Sequence, residues 1–543
     1  MIVEGRVVRA FEVELAEGAP DFWAFTDVTA WRGQRATIRL DQAAPISKPE
    51  AQQVSLGHPI LPHALDALRV DDELVDAASL YREPLRPQFH FTTRRGWLND
   101  PNGLLYHAGE YHLFYQYQPF SMLSLNSDKS WGHAVSRDLV HWEELPVAIY
   151  PDENGGAWSG SALVDVTNVG GFQRGPNPAL LLFYTATGRS AMNPKAAEPS
   201  DFVQRLAYSN DRGRSWTMFA GNPVLKNITP LNRDPLVFWH APSKRWVMVL
   251  YVGYPISNLG NEVTAQILNS ENLKDWTYQS RIEGFYDCPM LYEIPLDGKA
   301  ADTRWIIHCA NMKYKVGRFD GKTFTPETDL IDAHKGKVGE SAYASQIIRN
   351  APDGRVLEIS WLYNEQPGAR QIMTFPSELS LVTTPNGPRL RWQPVHEIEQ
   401  LISTPQTWHN LTLSPESPVT RAQGRHLEIK AEIQLGDARE VEFDLGGMPI
   451  VFHTVGKELT VRGYALPLAL KENRLQLRVL LDETSLEIYA DNGLVYLPLT
   501  IPPLGEHPAV TISVRGGAAQ AETLEIAELK SIWPAPEGPP KSR

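Results

Sequence analysis

Three carboxylates stand where nucleophilic and acid–base chemistry could be shared. They are Asp100 in Trp97-Leu98-Asn99-Asp100-Pro101-Asn102-Gly103, Asp234 in Arg233-Asp234-Pro235, and Asp287 in Tyr286-Asp287-Cys288-Pro289. Carboxyl groups facing one another across a substrate can divide the work, one attacking carbon while another delivers a proton. The proline after Asp100 and after Asp234 disfavours helical backbone, so both belong to extended or turn segments. Asn102-Gly103 supplies turn chemistry and the alternation Tyr111, Leu113, Tyr115, Tyr117 a second strand, which places Asp100 at the mouth of a β-hairpin. An aspartate in a turn often only caps its own backbone. Spacing within a repeat raises these three above caps.

The repeat is a serine, a polar turn and a tryptophan: Ser136 to Trp142, Ser209 to Trp216, Ser270 to Trp276, with a degenerate fourth copy ending at Phe324. The closing aromatics are 74, 60 and 48 residues apart, the spacing of four-stranded propeller blades with loops of varying length. Asp100 precedes Trp142 by 42 residues and Asp234 precedes Trp276 by the same 42, while Asp287 lies 37 before Phe324. First strands line a propeller's channel, so equivalent residues on them converge. Tyr343 to Leu381, with Leu357–Trp361 and Gln371–Phe375, makes a fifth blade.

The chain therefore reads as all-β in three parts. Residues 1–85 form a small β-rich extension, with strands expected through Val7–Leu15, Phe22–Phe25 and Ala36–Leu40. Residues 86–400 form the five-bladed β-propeller. Residues 401–543 hold a linker, Leu401–Pro418, and a β-sandwich whose alternating strands include a hairpin turn at Asp491-Asn492-Gly493. The 15 Trp and 19 Tyr suit flat stacking on sugars, and the net charge of −13 argues against nucleic acid. No apolar run is long enough to span a membrane and the N-terminus has no signal-peptide core, so no membrane partner and a cytoplasmic location are expected. Cys288 and Cys309 read as buried free thiols, and His133 as packed inside the propeller. No His/Cys spacing suggests a metal, no cofactor is expected, and the sequence is silent on oligomeric state.

These motifs, with Phe114-Tyr115-Gln116-Tyr117, Trp131-Gly132-His133-Ala134-Val135-Ser136, Trp158-Ser159-Gly160-Ser161-Ala162 and the C-terminal Asp482–Asp491 and Leu529–Pro534, resemble glycoside hydrolase family 32. That family holds the invertases, inulinases and levanases that cleave β-fructofuranosides, and the likeness runs from about residue 86 to 535. It implies a propeller plus sandwich, no cofactor, a carbohydrate substrate, and a retaining mechanism through a covalent Asp-fructosyl intermediate. By motif, Asp100 is the nucleophile and Asp234 holds sugar hydroxyls and stabilises the cationic transition state. Arg233 pairs with a carboxylate and keeps it ionised. Asn99, Gln116, Trp158 and Ser159 line the pocket, while Trp361 either floors it or fills the fifth blade. Asp287 takes the place of the family's acid/base, with the charge of Asp100 expected to raise its pKa.

Two departures stand out. The family's Glu-Cys-Pro-Asp reads Asp287-Cys288-Pro289-Met290 here, an acid shorter by one C–C bond, roughly 1.5 Å. The loop Pro119–Ser130 has Ser124-Leu125-Asn126 where the family carries Trp-Gly-Asn. Both lie at the sugar and point to an altered furanoside. Alternative readings are a fructosyltransferase or anhydride-forming enzyme on the same scaffold, and a non-catalytic carbohydrate-binding protein, against which the retained Asp100 argues.

Overall fold

The computed structural model describes residues 1–13, 22–41, 68–72, 74–75, 77–122, 129–192, 202–256, 260–333, 340–366, 369–505 and 508–534. Among the described residues of the N-terminal part only short pairings form: β1 (Ile2–Val3), β2 (Arg6–Val7) and β3 (Ala36–Thr37), in the order β2-β1-β3. Phe22–Phe25 is not a strand. Its aromatics serve as contacts instead, with Phe25 against the Arg94 guanidinium at 5.3 Å, while Arg9 lies over Trp31 at 4.7 Å and Tyr150 at 3.8 Å. Leu15 and the Ser124–Asn126 segment lie outside the described residues.

The repeat builds one turn several times over. In the first blade, β4 (Gly96–His107), β5 (Glu110–Gln118), β6 (Ser130–Ser136) and β7 (Trp142–Ile149) pair in sequence order. The second holds β8 (Ala157–Asp165), β9 (Ala179–Ala186), β10 (Val203–Ser209) and β11 (Thr217–Met218). The third holds β12 (Leu231–His240), β13 (Arg245–Ile256), β14 (Gly260–Ser270) and β15 (Thr277–Glu283). The fourth has β16 (Met290–Leu296), β17 (Lys299–His308), β18 (Lys313–Phe319), β19 (Phe324–Pro326) and β20 (Ile331–Asp332), the last two both pairing with β18. Every copy of the motif links a blade's third strand to its fourth. The serine hydroxyl accepts a backbone N–H of the turn, from Asp138 to Ser136, Gly213 to Ser209 and Leu273 to Ser270. The Trp142 and Trp216 indoles donate back to Leu139 and Gly213 carbonyls at 3.1 Å.

The fifth blade comprises β21 (Tyr343–Ile348), β22 (Val356–Gln366) and β23 (Ala369–Met373), extended by β24 (Ser377–Thr384) and β25 (Gly387–Pro394). Strand β23 pairs in parallel with β4 through Ala369 and Gly96, joining the last blade to the first. Inner strands are tied across blades: Gly160 N donates to Asn102 Oδ1, Ser161 Oγ to Pro235 O, and Arg349 N to Leu104 O. Such ties satisfy polar groups that burial would otherwise leave unpaired.

Two six-stranded antiparallel sheets follow and enclose a core including Ile429, Phe443, Phe452, Val479, Ile488 and Ile512. Within the stretch read as a linker, Gln406–Leu413 is a strand, paired with Ala519–Glu528 at the sheet's edge. Asp491–Gly493 is the hairpin turn expected, with Asn492 at φ 54°. No helix among the described residues is long and apolar enough to cross a membrane.

The sandwich grips the propeller through His90. Both ring nitrogens face carboxylates, Nδ1 at 2.8 Å from Asp482 and Nε2 at 3.0 Å from Glu487, in a fully buried site. A ring donating on both sides is an imidazolium. Burial alone would lower its pKa, but the hydrogen bonds it donates to Asp482 and Glu487 push it up to about 9. A folded pKa above the unfolded value of about 6.5 gives stabilisation that is complete below about pH 6.5 and disappears as pH rises through about 9, worth about 3 kcal/mol. Melting of the native chain should therefore fall across that window relative to His90→Gln, whose deficit should shrink toward alkaline pH. A pH-independent gap between the two would contradict the charged clamp.

Candidate active site

The two Asp-Pro dipeptides occupy matching bulges. Pairing of β4 with β5 skips from Leu98 to Pro101, leaving Asn99 and Asp100 without cross-strand partners, and pairing of β12 with β13 skips from Arg233 to Leu236 around Asp234. A bulge re-aims the side chains it frees, and the equal 42-residue spacing records that equivalence. Asn102-Gly103 is not the hairpin turn. It lies within β4 at a second bulge, where Gly103 has φ 54° and an added Cβ would sit 3.0 Å from Ala162 and Phe114, while the chain reverses at Ala108-Gly109. Asp234, Asp287 and Cys288 all have left-handed φ, 61°, 60° and 41°. Such backbone strain outside glycine concentrates at functional sites.

Asp100 is surrounded by donors. Asn99 Nδ2 donates to Oδ1 at 3.0 Å, while Oδ2 accepts Ser159 Oγ at 2.7 Å, Gln116 Nε2 at 3.2 Å and the Cys288 thiol at 3.7 Å. Gln116 also donates to Ser159 Oγ. Trp158, beside Ser159, packs its ring on Phe202 at 5.0 Å, and its carbonyl accepts the Trp131 indole.

Asp234 and Asp287 form a close pair. A carboxyl oxygen from each and Cys288 Sγ all lie within 4.8 Å of one another. With the thiol 3.7 Å from Asp100, the three carboxyl groups come no further than about 8.5 Å apart. Arg233 lies between the pair, with Nε 2.7 Å from Asp287 and 3.5 Å from Asp234. The arginine thus serves chiefly the aspartate 54 residues away rather than its neighbour. Tyr343 OH donates to the other Asp287 oxygen at 3.2 Å, and Cys288 N donates to Asp234 at 3.1 Å.

Burial first and the Asp287 charge second push the Asp234 pKa well up. Burial would raise Asp287 too, but the Arg233 guanidinium overrides it and holds that carboxyl below its ordinary range. The expectation that Asp287 is the raised group is corrected: within this pair Asp234 is the raised carboxyl and Asp287 the lowered one. Two carboxyl groups this close titrate as a unit, so one proton belongs to both.

Trp361 is buried behind Tyr343, edge-on to it at 6.4 Å and against Tyr363 at 4.6 Å, with no hydrogen-bond partner for its indole N–H among the described residues. It packs on a group that touches Asp287. Sequence reasoning missed Lys129, whose Nζ is 2.9 Å from Asn99 Oδ1 and 2.7 Å from Gln116 Oε1. It also missed Tyr343, and Thr185, whose hydroxyl accepts Asp234 N at 3.0 Å. His133 is packed as expected, stacked on Phe114 and hydrogen-bonded to His112, and both cysteines are buried and free.

Comparison with known proteins agrees with this architecture. The model of the "Glycosyl hydrolases family 32 N-terminal domain" matches residues 90–394 and that of the "Glycosyl hydrolases family 32 C terminal" matches residues 397–528. A levanase of Bacillus subtilis is 35% identical, covering 84% of this chain and 72% of its own. An extracellular exo-inulinase of Aspergillus niger is 30% identical, covering 83% and 96%. The crystal structure of exo-inulinase from Aspergillus awamori superposes with a TM-score of 0.73 at 26% identity, covering 83% of this chain and all of the other. With a propeller and a sandwich that both match and a cluster of three carboxylates inside the first of them, the chain belongs to glycoside hydrolase family 32.

Proposed function

We propose that this glycoside hydrolase cleaves β-fructofuranosidic bonds with retention, using Asp100 as nucleophile and the Asp234–Asp287 pair as the source of the proton. The observation that carries the reading is the contrast between the carboxyl groups. Among the described residues Asp100 accepts neutral donors, whereas the facing pair shares an arginine and has one carboxyl raised and the other lowered. In the first step Asp100 attacks the anomeric carbon as the glycosidic C–O bond breaks, and the leaving oxygen takes the proton through Asp287. Asp234, relieved of that proton, faces the developing positive charge on the ring. In the second step Asp287 accepts a proton from water as the water oxygen displaces Asp100, and return of that proton to the Asp234–Asp287 pair restores the free enzyme. Relatives named levanase and exo-inulinase support a fructan as the substrate class.

The test is incubation with levan, inulin, sucrose and an aryl β-fructofuranoside, with products separated by chromatography and methanol added as a competing acceptor. Free fructose and methyl β-fructofuranoside are expected. Methyl α-fructofuranoside, or no release from any of the four, would contradict the reading, and transfer to sugar in place of water would favour the transferase alternative.

A further inference from the structure

We infer that Lys129 is a positioning residue: its ammonium fixes the side-chain amides of Asn99 and Gln116 so that both NH2 groups face Asp100. The inference rests on the reading of Asp100 as the nucleophile. Lys129 directly precedes β6 and is 6% exposed, with Nζ 2.9 Å from Asn99 Oδ1 and 2.7 Å from Gln116 Oε1. An ammonium has three donors and no acceptor, so it admits only the oxygen end of an amide. Each amide must then turn its nitrogen the other way. Those nitrogens are the ones that reach Asp100, 3.0 Å from Oδ1 and 3.2 Å from Oδ2. A flip of either amide would set a carbonyl oxygen against a carboxylate and an NH2 against an ammonium. Among the described residues, without Lys129 only the Trp97 indole at 3.3 Å holds the Asn99 oxygen, and only Asn99 Nδ2 at 3.1 Å holds that of Gln116.

The groups facing the ammonium are Asp100 from β4, Asp234 from β12, and Asp287 and Cys288 from the approach to β16. Burial brings Lys129 down to about 8 in spite of the Asp100 and Asp287 carboxylates. A neutral amine can accept as well as donate, so deprotonation releases the clamp.

The experiment compares native, Lys129→Met and Lys129→Arg chains on an aryl β-fructofuranoside, whose good leaving group reports attack by the nucleophile. Native kcat/KM should fall as pH rises through about 8. Lys129→Met should lose on the order of 10²-fold in kcat with KM little changed, and should lose that alkaline limb. Lys129→Arg, a cation that does not titrate there, should restore part of kcat and move the limb upward. Native kcat and a native limb in Lys129→Met would overturn the inference. So would a native profile flat through about 8, which decides the matter even if neither variant folds. Neutron structures of native and Lys129→Met chains read the amides without substrate. Rotated amides support the inference even if no furanoside is ever turned over, an outcome that would sink only the nucleophile reading. Amides unmoved in the variant would sink the inference.

Discussion

Asp100→Asn is expected to abolish turnover, by a factor on the order of 10⁴ to 10⁶, while the chain stays folded. The new amide is nearly isosteric with the carboxylate but cannot form the ester on which a retaining mechanism depends. Its oxygen can still accept from Asn99 or Gln116, and the Ser159 hydroxyl can rotate to accept from its NH2, so the surrounding donors are only partly frustrated. Rates on levan and on an aryl fructofuranoside should fall together, since both leaving groups need the same attack. Melting should move by only a few degrees. Retained activity with unchanged melting would make Asp100 a structural acceptor in a bulge.

Asp287→Ala has the second largest expected effect, and it should depend on the leaving group. Loss of the proton path should slow substrates with sugar leaving groups by about 10² to 10⁴. An aryl fructofuranoside, whose leaving oxygen needs little protonation, should suffer far less in its first step. The substitution also releases Arg233, 3.5 Å from Asp234, from its bond to Asp287 and removes the charge that raises the Asp234 pKa. Asp234 should then ionise at lower pH. Asp287→Glu probes the short side chain separately. If the backbone at φ 60° advances the carboxyl enough to replace the missing methylene, the longer side chain should crowd Arg233 and Tyr343 and slow the true substrate. A gain on levan or inulin would mean that the native aspartate is withdrawn from ordinary fructans. Equal rates for Asp287→Ala and the native chain on both kinds of substrate would remove Asp287 from the chemistry.

Much of the architecture was legible because the repeat marks one physical object, a serine-capped turn between the third and fourth strands of a blade. The equal distance from Asp100 to Trp142 and from Asp234 to Trp276 survives in the fold as a pair of matching bulges. Asn102-Gly103 misled for a definite reason. The positive φ that suits a hairpin turn also suits a bulge within a strand, and local chemistry cannot separate them. The edge strand Gln406–Leu413 was read as linker because its residues are mostly exposed, so its alternation carries little hydrophobic signal. Within the site, Asp100, Asn99, Gln116 and Ser159 were legible from motifs. The pairing of Arg233 with Asp287 was not, since it depends on where the third and fourth blades meet. Lys129 was hidden for the same reason: nothing in its neighbours along the chain shows that β4 and β5 present two amide oxygens to it.

The most direct test of the central claim is to catch the covalent intermediate. Asp287→Ala mixed with an aryl β-fructofuranoside should be glycosylated readily and freed slowly, because no base remains to activate water. Quenching in acid, followed by intact mass measurement and peptide mapping, should find one fructosyl group esterified to Asp100 within the peptide carrying Trp97–Gly103. An ester on Asp234, or substrate consumed with no adduct and with inverted product, would contradict the account.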